Sequence, residues 1–261
     1  MVKRAEIIEQ KLLEMMAKNK RVSLNEAITS LDVSESTVRR LFVKIEESGK
    51  GVRDYGGIRL AADAVEYSFK TYAEINHSEK HAIAKAAVRL VKSGDMVYLD
   101  SGTTLACFTE VLRDHIKHGI IGDVTVFTNS LVNLNILDEV AKVNLIGGEY
   151  RRNRRDFCGY LAEEAIKSLH FTKCFLGTDG FSMSMGFTAT DFSTARLNEL
   201  ALKNSNEGYV MLDSEKFKTQ SVVSYSKNQK ITAAITEVMP EQAVAEKLSG
   251  LGTKIIIAGN I

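Results

Sequence analysis

A polypeptide that holds a phosphate needs outward N–H groups, close backbone approach and a compensating dipole or cation. The stretch Asp100, Ser101, Gly102, Thr103, Thr104 offers the first two. It follows an apolar run, Met96 to Leu99, with the character of a buried strand. It precedes a helical spacing at Leu105, Phe108, Val111 and Leu112, whose N-terminal dipole would favour an anion. No Lys follows the glycine as in a Walker loop, so a nucleoside triphosphate is not the expected ligand. The same residues also suit a plain strand-to-helix turn with a hydroxyl cap.

Further polar residues collect after later apolar runs. They are Thr128, Asn129 and Ser130; Gly147 and Gly148, with Arg151, Arg152, Arg154 and Arg155 beyond; Gly177, Asp179 and Gly180; and Asp213 with Lys216. Hydroxyls, glycine N–H groups and a cation can hold a phosphate, while Asn and Asp can take sugar hydroxyls. A phosphorylated polyol fits this set. Plainer roles compete: Asp100 as a cap on its own loop, Asp179 as the anchor of a glycine turn, Lys216 as an exposed helix-start lysine. For Arg151 to Arg155 a solvated face or a partner surface is the leading reading.

A second chemistry lies near the N-terminus. Ser34 opens a helical stretch with Ser36, Thr37, Arg39 and Arg40 in its first turns and Val38, Leu41, Phe42 and Ile45 spaced to face inward. Ser23 and Glu26 form a capping-box pattern for a short helix just before it. Short helix, tight turn at Asp32-Val33 and hydroxyl-rich helix start make a helix-turn-helix pattern. Ser36, Thr37 and Arg40 suit base edges or phosphates, and Arg39 suits phosphate. Val52 to Arg59 reads as a basic wing carrying Arg53. A three-helix protein-binding module with a solvated charged face is the competing reading.

The elements that must position these residues follow from periodicity. A first helix spans about Lys3 to Lys18. Later, strand-length runs at Met96–Leu99, Val124–Phe127, Val143–Ile146, Cys174–Leu176, Tyr209–Leu212, Ile231–Ile235 and Lys254–Ala258 alternate with helices at Thr104–Lys117, Leu131–Val140, Ala162–Leu169, Thr194–Lys203 and Glu241–Leu248. Near-continuous apolar strands between amphipathic helices predict a mostly parallel α/β sheet, whose strand ends form the ligand crevice.

The 261 residues carry 44% hydrophobic and 26% charged side chains, as a globular protein does. No apolar run reaches the roughly 18 residues of a membrane helix, and the charged, amphipathic start lacks an apolar h-region, so no secretion signal is expected. Cys107, Cys158 and Cys174 form no CxxC pair and are expected as reduced thiols in the cytoplasm. No metal and no cofactor are expected, since the His and Cys residues lack ligand spacing. Net charge is +1, but residues 1–60 hold 12 Lys/Arg against 9 Asp/Glu, a surplus that permits nucleic-acid binding at that end.

Taken together, Ser34-x-Ser36-Thr37-Val38-Arg39-Arg40, Gly49, Arg53-x-x-Gly56-Gly57, Leu99 to Thr104, Thr128-Asn129, Gly147-Gly148, Gly177-x-Asp179-Gly180, Gly186-x-Thr188 and Asp213 to Phe217 resemble the DeoR family of bacterial transcriptional regulators. The resemblance covers nearly the whole chain. It implies a winged helix-turn-helix over 1–60, a linker over 61–76, and over 77–261 an α/β sensor domain similar to ribose-5-phosphate isomerase. It implies a repressor of carbohydrate-catabolism genes, not an enzyme, with operator DNA as partner, a phosphorylated sugar as effector, and a homo-oligomeric state, dimer or tetramer. Ser101, Gly102, Thr103, Thr104, Asn129, Asp179 and Lys216 carry over as the effector pocket, beside Asp100 and Gly148 from the loop reading. The chain departs from the family's usual residues at Leu41, Tyr55 and Thr194. The competing function is an isomerase-like enzyme with an appended nucleic-acid-binding module.

Overall fold

A computed structural model describes residues 2–19, 21–48, 51–54, 56–60 and 69–259. The chain divides into two compact units, Met1–Thr71 and Tyr72–Ile261. Gly49, Tyr55, Tyr67 and the first part of the expected linker, 61–68, lie outside the described residues.

The first unit comprises α1 (Val2–Asn19), β1 (Arg21–Ser23), α2 (Leu24–Leu31), α3 (Glu35–Glu47), β2 (Gly51–Asp54) and β3 (Gly57–Leu60). The Ser23–Glu26 capping box is present, with both reciprocal bonds made. Asp32 ends α2 in the left-handed conformation, turning the chain sharply into α3. The strands form one antiparallel sheet in the order β1-β3-β2, which makes the wing. Leu12, Met16, Ala27, Val38, Leu41, Phe42, Ile45 and Ile58 close a single small core beneath helices and wing.

The second unit begins in α4 (Phe69–Glu74) and α5 (His77–Val88). It continues through β4 (Met96–Leu99), α6 (Thr103–Lys117), β5 (Thr125–Thr128), α7 (Leu131–Leu137), β6 (Lys142–Leu145), β7 (Glu149–Arg151), β8 (Asp156–Cys158) and α8 (Tyr160–Lys167). Next come β9 (Phe171–Gly177), β10 (Gly180–Ser182), β11 (Gly186–Ala189), α9 (Phe192–Lys203), β12 (Ser205–Met211), a 3-10 turn (Ser214–Lys218), β13 (Val223–Ser224), β14 (Ala233–Thr236), α10 (Gln242–Gly250) and β15 (Lys254–Ile257). The main sheet has seven strands in the order β15-β14-β12-β9-β4-β5-β6. Every neighbouring pair is parallel.

Strand alternation builds two cores. Val97, Leu99, Phe175, Tyr209, Met211 and Ile235 face the helices α5, α6 and α7. Tyr98, Cys174, Leu176, Val210 and Ala234 face α8, α9 and α10. Burial on both faces is why these strands read as unbroken apolar runs. From β4 the chain lays β5 and β6 on one side, then returns to lay β9, β12, β14 and β15 on the other. The boundary between β4 and β9 is therefore the sheet's topological switch point, where open α/β sheets keep their ligand crevice.

Candidate functional site

In the first unit Ser34 caps α3, accepting from the Thr37 N–H at 3.4 Å. Its Oγ also meets Ser36 Oγ at 3.0 Å and Thr37 Oγ1 at 2.9 Å, so the three hydroxyls act as one cluster. Ser36, Arg39 and Arg40 are exposed on the face opposite Val38, Leu41, Phe42 and Ile45. Arg39 pairs with Glu35 one turn back, and Arg40 Nε donates to the Ser36 carbonyl at 3.3 Å. Glu46 binds the wing strand twice, accepting from the Arg53 backbone N–H at 3.0 Å and from Arg53 Nε at 2.6 Å. A cleft of about 250 Å³ between α3 and the wing is lined by Leu24, Arg39, Phe42, Arg53, Gly56 and Gly57.

In the second unit the switch point holds the opening motif. The Asp100 N–H donates to Phe175 O at 3.0 Å. Asp100 Oδ1 accepts from Ser101 N at 2.7 Å, and Oδ2 from Gly177 N at 3.1 Å. Asp100 thus ties the end of β4 to the end of β9. It is buried, and burial pushes its carboxyl up to about 7 despite those two backbone donors. Asn198 on α9 lies close enough to favour the Asp100 charge, yet its amide closes no hydrogen bond.

Gly102 then turns the chain into α6 at φ +109°, a conformation side-chain-bearing residues rarely adopt. Among the described residues no side chain caps α6, and its first N–H groups stand beside Thr103 and Thr104. Space lies open where a Gly102 side chain would stand.

The Ser101 hydroxyl is engaged by the protein itself, donating to Asp156 Oδ2 at 2.7 Å. Asp156 is fully buried and clamped by Arg151 through Nε to Oδ1 at 2.8 Å and Nη2 to Oδ2 at 2.7 Å. Arg151 also reaches Asp191 Oδ1 at 2.9 Å and Thr194 Oγ1 at 3.0 Å. Arg154 meets Asp191 at 3.3 Å and Asp179 at 4.0 Å. Asp179 Oδ2 accepts from the Thr190 N–H and hydroxyl at 2.8 and 2.7 Å. Ser101, Asp156, Arg151, Asp191, Arg154 and Asp179 are thus one continuous network.

The arginine cluster therefore differs from the solvated face expected for it. Arg151 and Arg154 turn inward because a buried carboxylate such as Asp156 needs a cation. Arg152 and Arg155 stay exposed. Burial opposes the Arg151 charge, but Asp156 and Asp191 more than offset it and hold the guanidinium protonated. Burial also opposes the Asp191 charge, while the Thr194 N–H, Arg151 and Arg154 together pull its carboxyl below the ordinary range.

The other expected residues separate into two groups. Asn129 is buried, with its amide donating to Phe157 O at 3.0 Å and accepting from Tyr98 Oη at 3.3 Å. Gly148 is packed so tightly that a side chain there would collide with the Cys158 carbonyl. Lys216 sits on the 3-10 turn, part-exposed, with Asp213 and Lys80 as charged neighbours. Asp213 is buried with Oδ1 unpartnered, and burial pushes its carboxyl up. Asp156 and Asp191 escaped the sequence reading, which named Thr194 only as a departure from the family's usual residue. Asp191 carried one usable signal, as an N-cap residue three positions before Thr194.

Comparison with known proteins fits both units. A DeoR-like helix-turn-helix domain matches residues 9–63, and a DeoR C terminal sensor domain matches residues 75–238. A putative aga operon transcriptional repressor of Escherichia coli O157:H7 is 31% identical over 258 residues, covering 96% of this chain and 93% of its own. A lactose phosphotransferase system repressor of Staphylococcus aureus is 30% identical over 245 residues, covering 89% of this chain and 92% of its own. Among solved structures, ribose 5-phosphate isomerase A of Methanocaldococcus jannaschii aligns over 54% of each chain at 20% identity and a TM-score of 0.41. That likeness is too loose to carry a functional argument. Among the described residues no helix is long and apolar enough to cross a membrane.

Proposed function

Because this chain belongs to the DeoR family, with both the family's helix-turn-helix domain and its sensor domain, we propose that it is a cytoplasmic repressor of carbohydrate-catabolism genes, controlled by a phosphorylated sugar. The observation that carries the effector half is the uncapped N-terminus of α6, lying at the switch point of a parallel sheet beside Thr103 and Thr104. The phosphate binds the N–H groups that follow Gly102, with Lys216 as its cation. The sugar hydroxyls meet the wall of Asp179, Arg154 and Asp191. Asp100, Asn129 and Gly148 shape the loops behind them, and Ser101 reports ligand binding to Asp156 and Arg151.

The first unit binds operator DNA through α3 and the wing. Arg40, with Ser36 and Thr37, meets base edges; Arg39 and Arg53 meet phosphates on either side of their shared cleft. The protein works as a homo-oligomer, since paired recognition helices read paired half-sites. It needs no cofactor.

The test is a DNA-binding titration on the chain's own upstream region, with and without a panel of phosphorylated sugars. One sugar phosphate is expected to change the apparent operator affinity at least tenfold. No response to any member of the panel would remove the effector half. Arg40→Ala is expected to weaken operator binding by about 1–3 kcal/mol and to leave sugar-phosphate affinity unchanged. Equal loss of both in a folded variant would refute the two-site assignment.

An enzymatic reading draws on one feature, the burial that pushes the Asp100 carboxyl up to about 7, where an isomerase base would work. Against it, both Asp100 oxygens are held by backbone N–H groups and the side chain is buried. Incubation with aldose and ketose phosphates is expected to give no turnover; isomerised product would establish the enzyme.

A further inference from the structure

Four large apolar side chains crowd one corner of the second unit. Tyr160, Leu161 and Phe192 are each at least 69% exposed, and Tyr150 is half-exposed. Tyr160 and Leu161 open α8, Phe192 opens α9, and Tyr150 lies on β7 with its ring 5.2 Å from that of Phe157. These elements adjoin one another. Arg196 of α9 reaches Glu163 of α8 at 3.5 Å. Arg151, next to Tyr150, bonds Asp191, next to Phe192. A side chain added at Gly159, next to Tyr160, would stand 3.8 Å from Glu149. Single exposed apolar residues are ordinary, but a cluster with three aromatic rings has the composition of an interface core.

The rim carries both signs of charge. Arg152 and Arg155 are exposed in the turn between β7 and β8, and Glu149 is exposed on β7. None of the three has a hydrogen-bonded or ion-paired side chain among the described residues. A two-fold contact sets the same patch against itself, so a patch bearing both signs can neutralise its own rim. A nucleic acid would call for a basic surface without this apolar centre.

We propose that this corner is the face through which two copies of the chain pair two-fold, Tyr150, Tyr160, Leu161 and Phe192 forming its centre and Arg152 and Arg155 of one copy meeting Glu149 of the other. The pairing deepens the regulator reading and rests on it only for its consequence. Tyr150 and Phe192 flank the bonded pair Arg151 and Asp191, so a ligand that redirects Arg151 disturbs the pairing face directly. Effector binding and the spacing of two recognition helices then share one structural element.

The test needs neither operator nor sugar phosphate. Sedimentation velocity of the full chain across concentrations is expected to show an even-numbered assembly. Phe192→Glu and, separately, Tyr160→Glu are expected to weaken its dissociation constant at least 100-fold, with circular dichroism and thermal unfolding near wild type. The double variant R152E/R155E is expected to lose pairing and to regain it when mixed with an E149K chain. A wild type that is monomeric throughout, or an assembly that both folded glutamate variants leave intact, overturns the proposal. So does a patch that proves to bind a different protein while the chain itself stays monomeric. A chain that pairs as described but ignores every sugar phosphate removes the regulator reading and leaves the pairing face standing.

Discussion

Two carboxylates of the second unit respond to burial in opposite ways. Asp100 gains two backbone donors but no cation, and burial wins, raising its carboxyl to about 7. Asp191 gains the Thr194 N–H and two guanidinium groups, and these win, lowering its carboxyl. Charge therefore sits where an arginine answers it, and Asp100 is the weak point. Between roughly pH 4 and 7 the folded chain keeps a proton on Asp100 that the unfolded chain has released. The stability that proton contributes is present in acid and lost as pH rises through that window, at up to about 1.4 kcal/mol per pH unit. Asp191 works in the other direction: its contribution is present above the ordinary carboxylate range and is lost as pH falls through its lowered value. Asp100→Asn is expected to flatten the decline of Tm between pH 5 and 7.5, an isosteric amide having no proton to lose. Thermal unfolding at several pH values checks this; a wild-type slope in the folded variant would show that Asp100 is ionised throughout.

At the scale of elements, the wing is held to α3 by Glu46, which binds both the backbone and the guanidinium of Arg53. The pair is part-exposed, so it adds little to stability. Its effect lies in placement: Arg53 is presented in the same cleft as Arg39. Glu46→Ala is expected to weaken operator binding several-fold with Tm almost unchanged. Glu46→Gln, which can still accept from the Arg53 N–H, is expected to recover part of the loss. Equal operator affinity in all three chains would show that Arg53 finds its place without Glu46. All seven strands of the main sheet were legible in the sequence: burial on both faces makes the central ones apolar runs, and the partly buried edge strands β6 and β15 still stand out between helical stretches. The helix-turn-helix was legible from its caps, Ser23 and Ser34, and from the inward set Val38, Leu41, Phe42 and Ile45. The antiparallel elements β7, β8, β10, β11 and β13 were not, since their two to four residues mix polar, glycine and apolar types and make no apolar run. The site suffered most from that omission. Asp156 lies on β8 and Arg151 on β7, and only their pairing brings a buried carboxylate under Ser101. The loops at the ends of the parallel strands announced themselves through Gly, Ser and Thr; a partner fixed by hairpin register could not.

At the scale of the whole molecule, the chain has two compact units, and thermodynamics constrains how the two proposed binding events can communicate. If a sugar phosphate lowers operator affinity tenfold, operator DNA must lower sugar-phosphate affinity tenfold, a coupling of about 1.4 kcal/mol. The sugar phosphate itself, at 100 times its dissociation constant, is expected to stabilise the folded sensor unit by about 2.7 kcal/mol. That shift belongs to the unfolding of residues 72–261, where α6 and its uncapped N-terminus lie, and it should survive Arg40→Ala undiminished. Four titrations check the coupling: operator with and without saturating sugar phosphate, and sugar phosphate with and without saturating operator. Equal factors on opposite edges close the cycle and fix the coupling energy. A sugar phosphate that stabilises the sensor unit but leaves operator affinity untouched would mean that the crevice binds its ligand and tells the DNA-binding unit nothing. Phe192→Glu adds the decisive comparison. If the pairing face next to Asp191 carries the message, separating the copies should collapse the coupling toward zero while each unit keeps its own ligand.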